Sequence, residues 1–222
     1  MANPVIQFGV THGFGFLTGW EYQDTSYTTN KTRANTLDGD GDEVVSHLHN
    51  EITEYTSRYK ASVAGSAPTV PATLGEVINS VCLTSISLNT SSSDFVEMTL
   101  TGHNHANNAH GTVRTIAHGI TVDDGFGVTD FLGGTAGDNA GLASSSITIS
   151  CEHQDVLDGD GDQLAGENYN PRMVATTDWY GTPTDDEDGT WDITSSAPSD
   201  ANTDFQKISY TGEKALDFGG LS

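Results

Sequence analysis

The chain has 222 residues, and its 31 acidic and 8 basic side chains give a formal charge of −23 at pH 7. A surface this acidic repels nucleic acid, which argues against a nucleic-acid-binding protein. No apolar run is long enough for a transmembrane helix, and the start of the sequence lacks the basic and apolar regions of a secretory signal. We therefore expect no membrane partner.

Alternation of apolar and polar residues predicts strands along most of the chain. The strand candidates, in chain order, are residues 14–22, 82–88, 94–102, 112–122, 145–151 and 205–210. Within the third, Val96, Met98 and Leu100 fall on one face. Dense Gly, Asp and Ser turn signals separate these segments, and GFG at 13–15 indicates a turn rather than a phosphate-binding loop.

Two of the interior segments make specific structural predictions. Residues 112–122 place Ile116, Ile120 and Val122 on one face of a strand, and residues 145–151 place Ile147, Ile149 and Cys151 on one face. One short helix is predicted at 71–80, where Leu74, Val77 and Ile78 have helical spacing. The predicted fold class is all-β, a sandwich or barrel with two long hairpins and one short helix, in a single domain over 1–222.

The two hairpins are predicted from an internal repeat. Residues 37–61 align with residues 157–181: LDGDGD is identical in both copies, Asn50 matches Asn170 and Tyr59 matches Trp179. Upstream, EYQD at 21–24 echoes EHQD at 152–155. Each copy is predicted to be a strand, an acidic Gly-rich turn and a second long strand, giving hairpins at about 14–61 and 145–181.

The long hairpin strands lack a continuous apolar face. A soluble hairpin this long and this polar is marginally stable alone, and its edges are open to pairing. Both problems are removed if the hairpins join those of neighbouring subunits in a closed ring. One hairpin face would then line a water-filled lumen, and the other would pack on the subunit's own core.

The acidic turns have two interpretations that the sequence leaves open. Carboxylates alternate with glycine at Asp38, Asp40 and Asp42 and again at Asp158, Asp160 and Asp162. This spacing opens many calcium loops, so Ca²⁺ or another cation is one interpretation. An EF-hand also requires Gly at position 6 and Glu at position 12, and neither copy has them. The other interpretation is a hairpin turn, since Asp-Gly is a preferred turn dipeptide.

A second acidic run occupies residues 185–188, and we expect a solvated loop there, with cation binding as the alternative.

The remaining polar candidates are histidines and cysteines. The histidines cluster at His103, His105, His110 and His118, and a His-x-His pair with a distant third histidine can hold zinc or iron. The alternatives are that His118, on the apolar face of its strand, is a hydrogen-bonded core histidine, which is the commoner case, and that His103 and His105 hydrogen-bond a loop after a strand end. The two cysteines, Cys82 and Cys151, fit no metal spacing and are predicted to be buried free thiols rather than a disulfide.

The sequence contains no recognisable catalytic motif. A nucleophile elbow, a P-loop and a dinucleotide-binding loop are all absent, and no carboxylate pair stands out among the many. The prediction is a non-enzyme with no catalytic residues and no organic cofactor.

With its two long hairpins, the strands between them at 82–122 and a closing strand at 205–210, the chain resembles a major tail tube protein of a tailed virus. The resemblance implies a β-sandwich flanked by a helix, whose long strands join a ring that is commonly hexameric. Stacked rings form the tube of the virion tail. The implied partners are other copies of the chain and other tail proteins, while DNA passes through an acidic channel without specific binding.

The resemblance assigns a function to no individual residue of this chain. The Asp-rich, Lys-poor composition is similar to that of proteins from salt-loving archaea and their viruses, because high salt screens self-repulsion. The host implied is therefore a halophilic archaeon. The loop at 131–141 is expected to contact the next ring.

Two other functions stay open. One is a capsid decoration or other virion surface protein, which predicts trimers on a shell. The other is a calcium-dependent surface module, which predicts a monomer that loses structure on chelation.

Overall fold

The computed structural model describes residues 13–62, 68–91, 94–105, 110, 114–123, 127–128, 142–159, 163–180, 191–199 and 206–216. The strands are β1 (Trp20–Leu37), β2 (Glu43–Ala61), β3 (Thr73–Leu74), β4 (Val77–Ile78), β5 (Val81–Ser91), β6 (Asp94–His105), β7 (Ile116–Ala117), β8 (Val122–Asp123), β9 (Gly127–Val128), β10 (Leu142–Leu157), β11 (Gln163–Tyr180), β12 (Asp192–Ser199) and β13 (Lys207–Ala215).

Most strands belong to one antiparallel sheet of nine strands. Its order is β1-β2-β6-β5-β10-β11-β13-β12, with β4 beside β5, while β3 pairs with β7 and β8 with β9 in two small sheets. Within the described ranges the large sheet stays open, with β1 and β12 at its edges. The all-β prediction is confirmed, and the arrangement is sandwich-like rather than a closed barrel.

The core lies between the large sheet and a layer of short strands. On the large sheet, Val96, Met98 and Leu100 of β6 are fully buried on one face, as their alternation predicts. Leu74 of β3 and Ile120 belong to the same cluster of buried side chains, and β3 contacts both β5 and β10. The short strands therefore form the second layer that an amphipathic sheet needs.

Both hairpins are present and project from the same end of the sheet. β1 pairs with β2, and β10 pairs with β11. Because every neighbouring pair between β1 and β10 is antiparallel, β1 and β10 run in the same direction, so both turns lie at one end.

The outer parts of the hairpins have no third strand. β2 pairs with β6 only over Ile52–Lys60, so residues 30–51 form a two-stranded ribbon, the first projecting segment. β10 pairs with β5 only up to Ser150, and β11 pairs with β13 only from Arg172, so 151–171 form the second projecting segment. These statements concern the described residues alone.

The predicted helix at 71–80 is wrong. Residues there form β3 and β4, and Val77 and Ile78 pair with the start of β5 in a tight hairpin. Gly75 has a φ of 81°, and Asn79 and Ser80 also have positive φ, so the backbone turns twice where a helix would need right-handed residues throughout.

The predicted strand at 112–122 is also mostly wrong. Ile116, Ile120 and Val122 are buried as expected, but of the described residues 114–122 only 116–117 and 122 are in strands. Gly119 has a φ of 74° and interrupts the extended backbone. At the N-terminal side, the predicted strand at 14–22 begins only at Trp20, because Gly13, Gly15 and Gly19 form turns with positive φ.

Both cysteines are free thiols, as predicted, although Cys151 is only partly buried. None of the described residues belongs to a helix with the length and hydrophobicity of a membrane span.

Candidate functional site

The first acidic turn folds back on itself. The Asp38 carboxylate accepts hydrogen bonds from the backbone amides of Asp40 (3.0 Å) and Asp42 (2.9 Å), and Gly41 has a φ of 87°. Residues 38–42, which form this turn, are all exposed. Asp38 therefore has a local structural role, and cation binding at Asp38, Asp40 and Asp42 stays a prediction.

The other acidic predictions fall mainly outside the described residues. Asp158 lies in the second turn, whereas Asp160 and Asp162 are not among the described residues. The acidic run at 185–188 and the loop at 131–141 also lie outside them.

Three of the four predicted histidines are brought together, and the structure adds three further residues to them. We call the group the histidine cluster; its members are Cys82, His103, His105, His110, His153 and Asp155. His118 lies elsewhere. Its Nε2–H donates to the Pro71 carbonyl (2.6 Å) and its Nδ1 accepts from the Ile120 amide (3.1 Å), so it is a hydrogen-bonded core histidine.

Strand alternation and register explain the cluster. His103 and His105 are two residues apart on β6, and His153 and Asp155 are two apart on β10, so each pair faces one side. Cys82 on β5 is directly opposite His103. The cluster thus lies at the end of the sheet from which the hairpins project, with its β10 pair in the second projecting segment.

The cluster is compact; its other members are buried, and His153 and Asp155 are partly buried. One ligand atom from each of His103, His105, His153 and Asp155 lies within 4.8 Å of the others, and a second such group joins Cys82, His103 and His110. Asp155 Oδ1 is 2.7 Å from His153 Nε2 and 3.2 Å from His105 Nε2. The rings of His103 and His153 are 4.1 Å apart between centroids.

Burial makes protonated histidine unfavourable at two positions. Desolvation, reinforced by the neighbouring His153, lowers the pKa of His103 to about 3. Burial also lowers the pKa of His105, although Asp155 opposes this effect. At neutral pH both rings are therefore neutral, and each has one nitrogen with a free lone pair.

Asp155 is the one carboxylate of the cluster, and it remains charged. Burial opposes its ionisation, but the hydrogen bond with His153 and the surrounding histidines outweigh burial and lower the pKa of Asp155. Burial lowers the pKa of His153, but the hydrogen bonds with Asp155 and Asn168 together outweigh burial, so the pKa of His153 is raised overall. Gln163 Nε2 also donates to Asp155 Oδ1, at 2.5 Å.

A glycine makes room for the cluster. On β11, Gly166 lies opposite Asp155, and a Cβ atom at Gly166 would come within 2.8 Å of the His153 ring. The Gln163 Nε2 atom would be equally close, at 2.7 Å. Both distances are far below ordinary contact, so any larger residue at 166 displaces His153 and the Gln163 amide.

Cys82 is not arranged as a nucleophile. Burial raises the pKa of its thiol to about 11, so the reactive thiolate is scarce at neutral pH. Several buried nitrogens and one carboxylate converging on a point are instead a donor set for a transition metal.

A second candidate site is the surface of the first projecting segment. Leu37, Val44, Val45 and Leu48 are between 54% and 62% exposed. Val45 and Leu48 are three residues apart in a regular stretch of the ladder and point to opposite sides of the ribbon, so both faces carry exposed apolar side chains. The expectation that one hairpin face packs on the subunit's own core is therefore wrong for this segment. The second projecting segment does bury one face, which includes Gln163 and Asn168.

His153 and Asp155 were not predicted from the sequence. EHQD at 152–155 is similar in sequence to EYQD at 21–24, but the two segments are not structurally equivalent. Asp24 pairs with Arg58 in an exposed ion pair near the base of its hairpin, whereas Asp155 is two residues from the end of β10. The available signal was the alternation His-x-Asp at 153–155, which mirrors His-x-His at 103–105.

No protein-family model matches the sequence, and a search of curated proteins finds no match either.

Proposed function

We propose that the chain is a structural virion protein, a tail tube subunit that assembles with copies of itself into stacked rings around an acidic channel for DNA. The observation that supports this most is the first projecting segment. It is a two-stranded ribbon with apolar side chains exposed on both faces, and a ribbon of this kind is marginal without a partner.

The partner that fits best is a second copy of the chain. No strand among the described residues pairs with the outer edge of β1, or with the outer edge of β11 between residues 163 and 171. These edges lie at opposite sides of the projecting end, and the two strands run in opposite directions. Copies related by rotation about the strand direction would therefore pair β1 with the next copy's β11 as antiparallel neighbours, and such head-to-tail contacts close into rings.

Charge supports a channel that DNA passes through. With a formal charge of −23, each copy repels phosphate, so a lumen lined by these hairpins makes no phosphate contacts that would retain DNA. The same charge opposes assembly at low ionic strength. We therefore expect rings to require high salt, which screens repulsion between subunits.

The test compares two exposed apolar residues. Leu48 is 59% exposed in the first projecting segment, and Phe16 is 75% exposed near the base of β1. In about 2–3 M salt, sedimentation velocity is expected to show large assemblies for the wild type and for Phe16→Asn, and a shift toward monomer for Leu48→Asn. A wild type that stays monomeric at every concentration, or equal behaviour of the two variants, contradicts the proposal. Discrete trimers would instead favour a decoration protein, and a monomer that unfolds on chelation would favour a calcium-dependent module.

A further inference from the structure

We propose that the histidine cluster is a structural zinc site in which His103, His105, His153 and Asp155 bind one Zn²⁺. The site lies within a single folded subunit and does not depend on assembly. Hydrogen-bond geometry, buried nitrogens that have no partner among the described residues, and the position of the four residues in the fold all support it.

The hydrogen bond between His153 Nδ1 and Asn168 determines what His153 Nε2 presents to Asp155: a lone pair if the ring is neutral, or a second proton if the ring is charged. Asn168 Nδ2 donates to the Arg114 carbonyl (3.3 Å), which orients the amide so that its Oδ1 faces His153 Nδ1 at 2.7 Å. His153 Nδ1–H is therefore the donor in this bond. In neutral His153 the other nitrogen, Nε2, carries no proton and would face the Asp155 carboxylate at 2.7 Å lone pair to lone pair. That arrangement is repulsive unless a cation lies between the two atoms.

A second proton on His153 would satisfy that contact but not the rest of the cluster. His103 Nε2 and His105 Nε2 are buried and make no hydrogen bond with any described residue, although His105 Nε2 lies 3.2 Å from Asp155 Oδ1. Both side chains are more than nine-tenths buried, at 8% and 3% exposure. Buried polar atoms without partners cost free energy, and one divalent cation would provide a partner for all of them together.

The donor set selects the ion. Three imidazoles and one carboxylate suit zinc and other late first-row metals, whereas Ca²⁺ and Mg²⁺ prefer oxygen ligands. Tetrahedral zinc with bonds of about 2.1 Å needs ligand atoms about 3.4 Å apart. The four ligand atoms lie within 4.8 Å of one another. The 3.2 Å contact between Asp155 and His105 fits this spacing, whereas Asp155 and His153, at 2.7 Å, would move apart on binding. Four protein ligands leave no open position, which is typical of a structural rather than a catalytic site.

The outer contacts match those of metal-bound histidines. His153 Nδ1–H donates to Asn168 Oδ1, and Gln163 Nε2 donates to Asp155 Oδ1, so both ligands are oriented by residues of β11. His110 and Cys82 lie beside the site. His110 Nε2 contacts the Ser80 carbonyl at 2.9 Å, and its Nδ1 has no partner among the described residues. Cys82, His103 and His110 form an alternative ligand set, in which only His103 also belongs to the proposed zinc site.

The ion would connect two parts of the fold that are not paired strands. His103 and His105 end β6, whereas His153 and Asp155 lie beyond Ser150, the last β10 residue that pairs with β5. Zinc would therefore hold the second projecting segment against the end of the sheet. The proposed consequence is a more rigid hairpin, not a chemical reaction.

The test uses the full chain, stripped with a chelator and then titrated with Zn²⁺ alone or Co²⁺ alone. We expect one metal ion per chain, a cobalt spectrum of tetrahedral type without a thiolate band, and slower hydrogen exchange in residues 151–159 when zinc is bound. Asp155→Asn and His105→Gln should abolish stoichiometric binding, and Asn168→Ala should weaken it by about 10- to 100-fold. The matched control is His118→Asn, a buried histidine outside the cluster, which should bind normally.

Three results would overturn the proposal. One is a wild-type chain that binds less than one ion and whose thermal midpoint does not change with zinc. Another is binding that persists in both ligand variants. The third is a thiolate-to-cobalt band that disappears in Cys82→Ser, because this band would place the ion at Cys82, His103 and His110 instead. Since the wild-type titration needs no variant, poor folding of a variant does not prevent a decision.

Discussion

Asn50 and Asn170 adopt the same left-handed backbone conformation, with φ of 52° and 50°, at equivalent points of the two hairpins. The strand ladder skips Asn50 between His49 and Ile52, and it skips Asn170 between Tyr169 and Arg172. Each asparagine thus lies in a β-bulge where its hairpin leaves the sheet. Bulges bend and twist a strand, so the repeated asparagine is where both projecting segments change direction.

The conformation explains why asparagine is used at these two positions. Asparagine enters the left-handed region more readily than other non-glycine residues, and alanine does so at a cost. Asn50 is the better position for a test, because its side-chain oxygen makes no hydrogen bond with a described residue, whereas Asn170 also donates to Glu152.

We predict that Asn50→Ala lowers the free energy of unfolding by about 1 kcal/mol. Asn50→Gly is the matched control and should lie within about 0.5 kcal/mol of the wild type, because glycine adopts positive φ without strain. Chemical denaturation at fixed high salt measures both. Equal stability of the alanine and glycine variants would show that the bulge does not constrain the backbone.

A second prediction concerns Gly166, where a Cβ atom would come within 2.8 Å of the His153 ring. Gly166→Ala should destabilise the chain by about 1–3 kcal/mol, because the His153 ring and the Gln163 amide, both hydrogen-bonded to Asp155, must move in a packed environment. Gly159→Ala, in the turn of the same hairpin, is the control, since a Cβ there meets no atom within 4 Å. Thermal unfolding of the metal-free chain compares the two. A loss at 159 as large as at 166 would argue against the close packing at His153.

His118 gives a pH dependence that can be isolated by substitution. Burial lowers its pKa, although the hydrogen bond to the Pro71 carbonyl opposes this. The unfolded chain therefore binds more protons below its ordinary pKa of about 6.5. Stability from this residue is complete above that pH and decreases as the pH falls toward the folded-state pKa. Protonation of Nδ1 also removes the acceptor of the Ile120 amide.

The comparison is between the wild type and His118→Asn, whose side-chain oxygen can still accept from Ile120 but does not titrate. From about pH 7 to about pH 5 the wild type should lose stability relative to the variant, by at most about 1.4 kcal/mol per pH unit. The other histidines are common to both proteins and cancel in the difference. A difference that stays constant with pH would mean that His118 keeps an ordinary pKa when folded.

Local patterns predicted the strands well where alternation decides the structure. Val96, Met98 and Leu100 are all buried, and the repeat located both hairpins. The prediction failed at 71–80, because the spacing of Leu74, Val77 and Ile78 satisfies a helix as well as two short strands that cover the core. The positive φ of Gly75, Asn79 and Ser80 excludes the helix, and a Cβ atom at Gly75 would lie only 2.3 Å from the Arg114 carbonyl oxygen.

The histidine cluster shows the limit of reading short motifs. His103 and His105 were candidates because they are close in sequence, but their partners on β10 are about fifty residues away, and strand register alone brings them together. The sequence similarity between 21–24 and 152–155 suggested that the two segments are equivalent, which they are not in the structure. Register counted from the hairpin turn shows that Asp24 and Asp155 occupy different levels of their hairpins.

Electron microscopy of the purified chain tests the central claim most directly. In negative stain at about 2–3 M salt, a subunit whose projecting hairpins pair with those of its neighbours should form rings or tubes with a central channel, and these should dissociate when the salt is lowered. A uniform population of monomers or compact trimers at every salt concentration, with no channel in any class of particle, would contradict it.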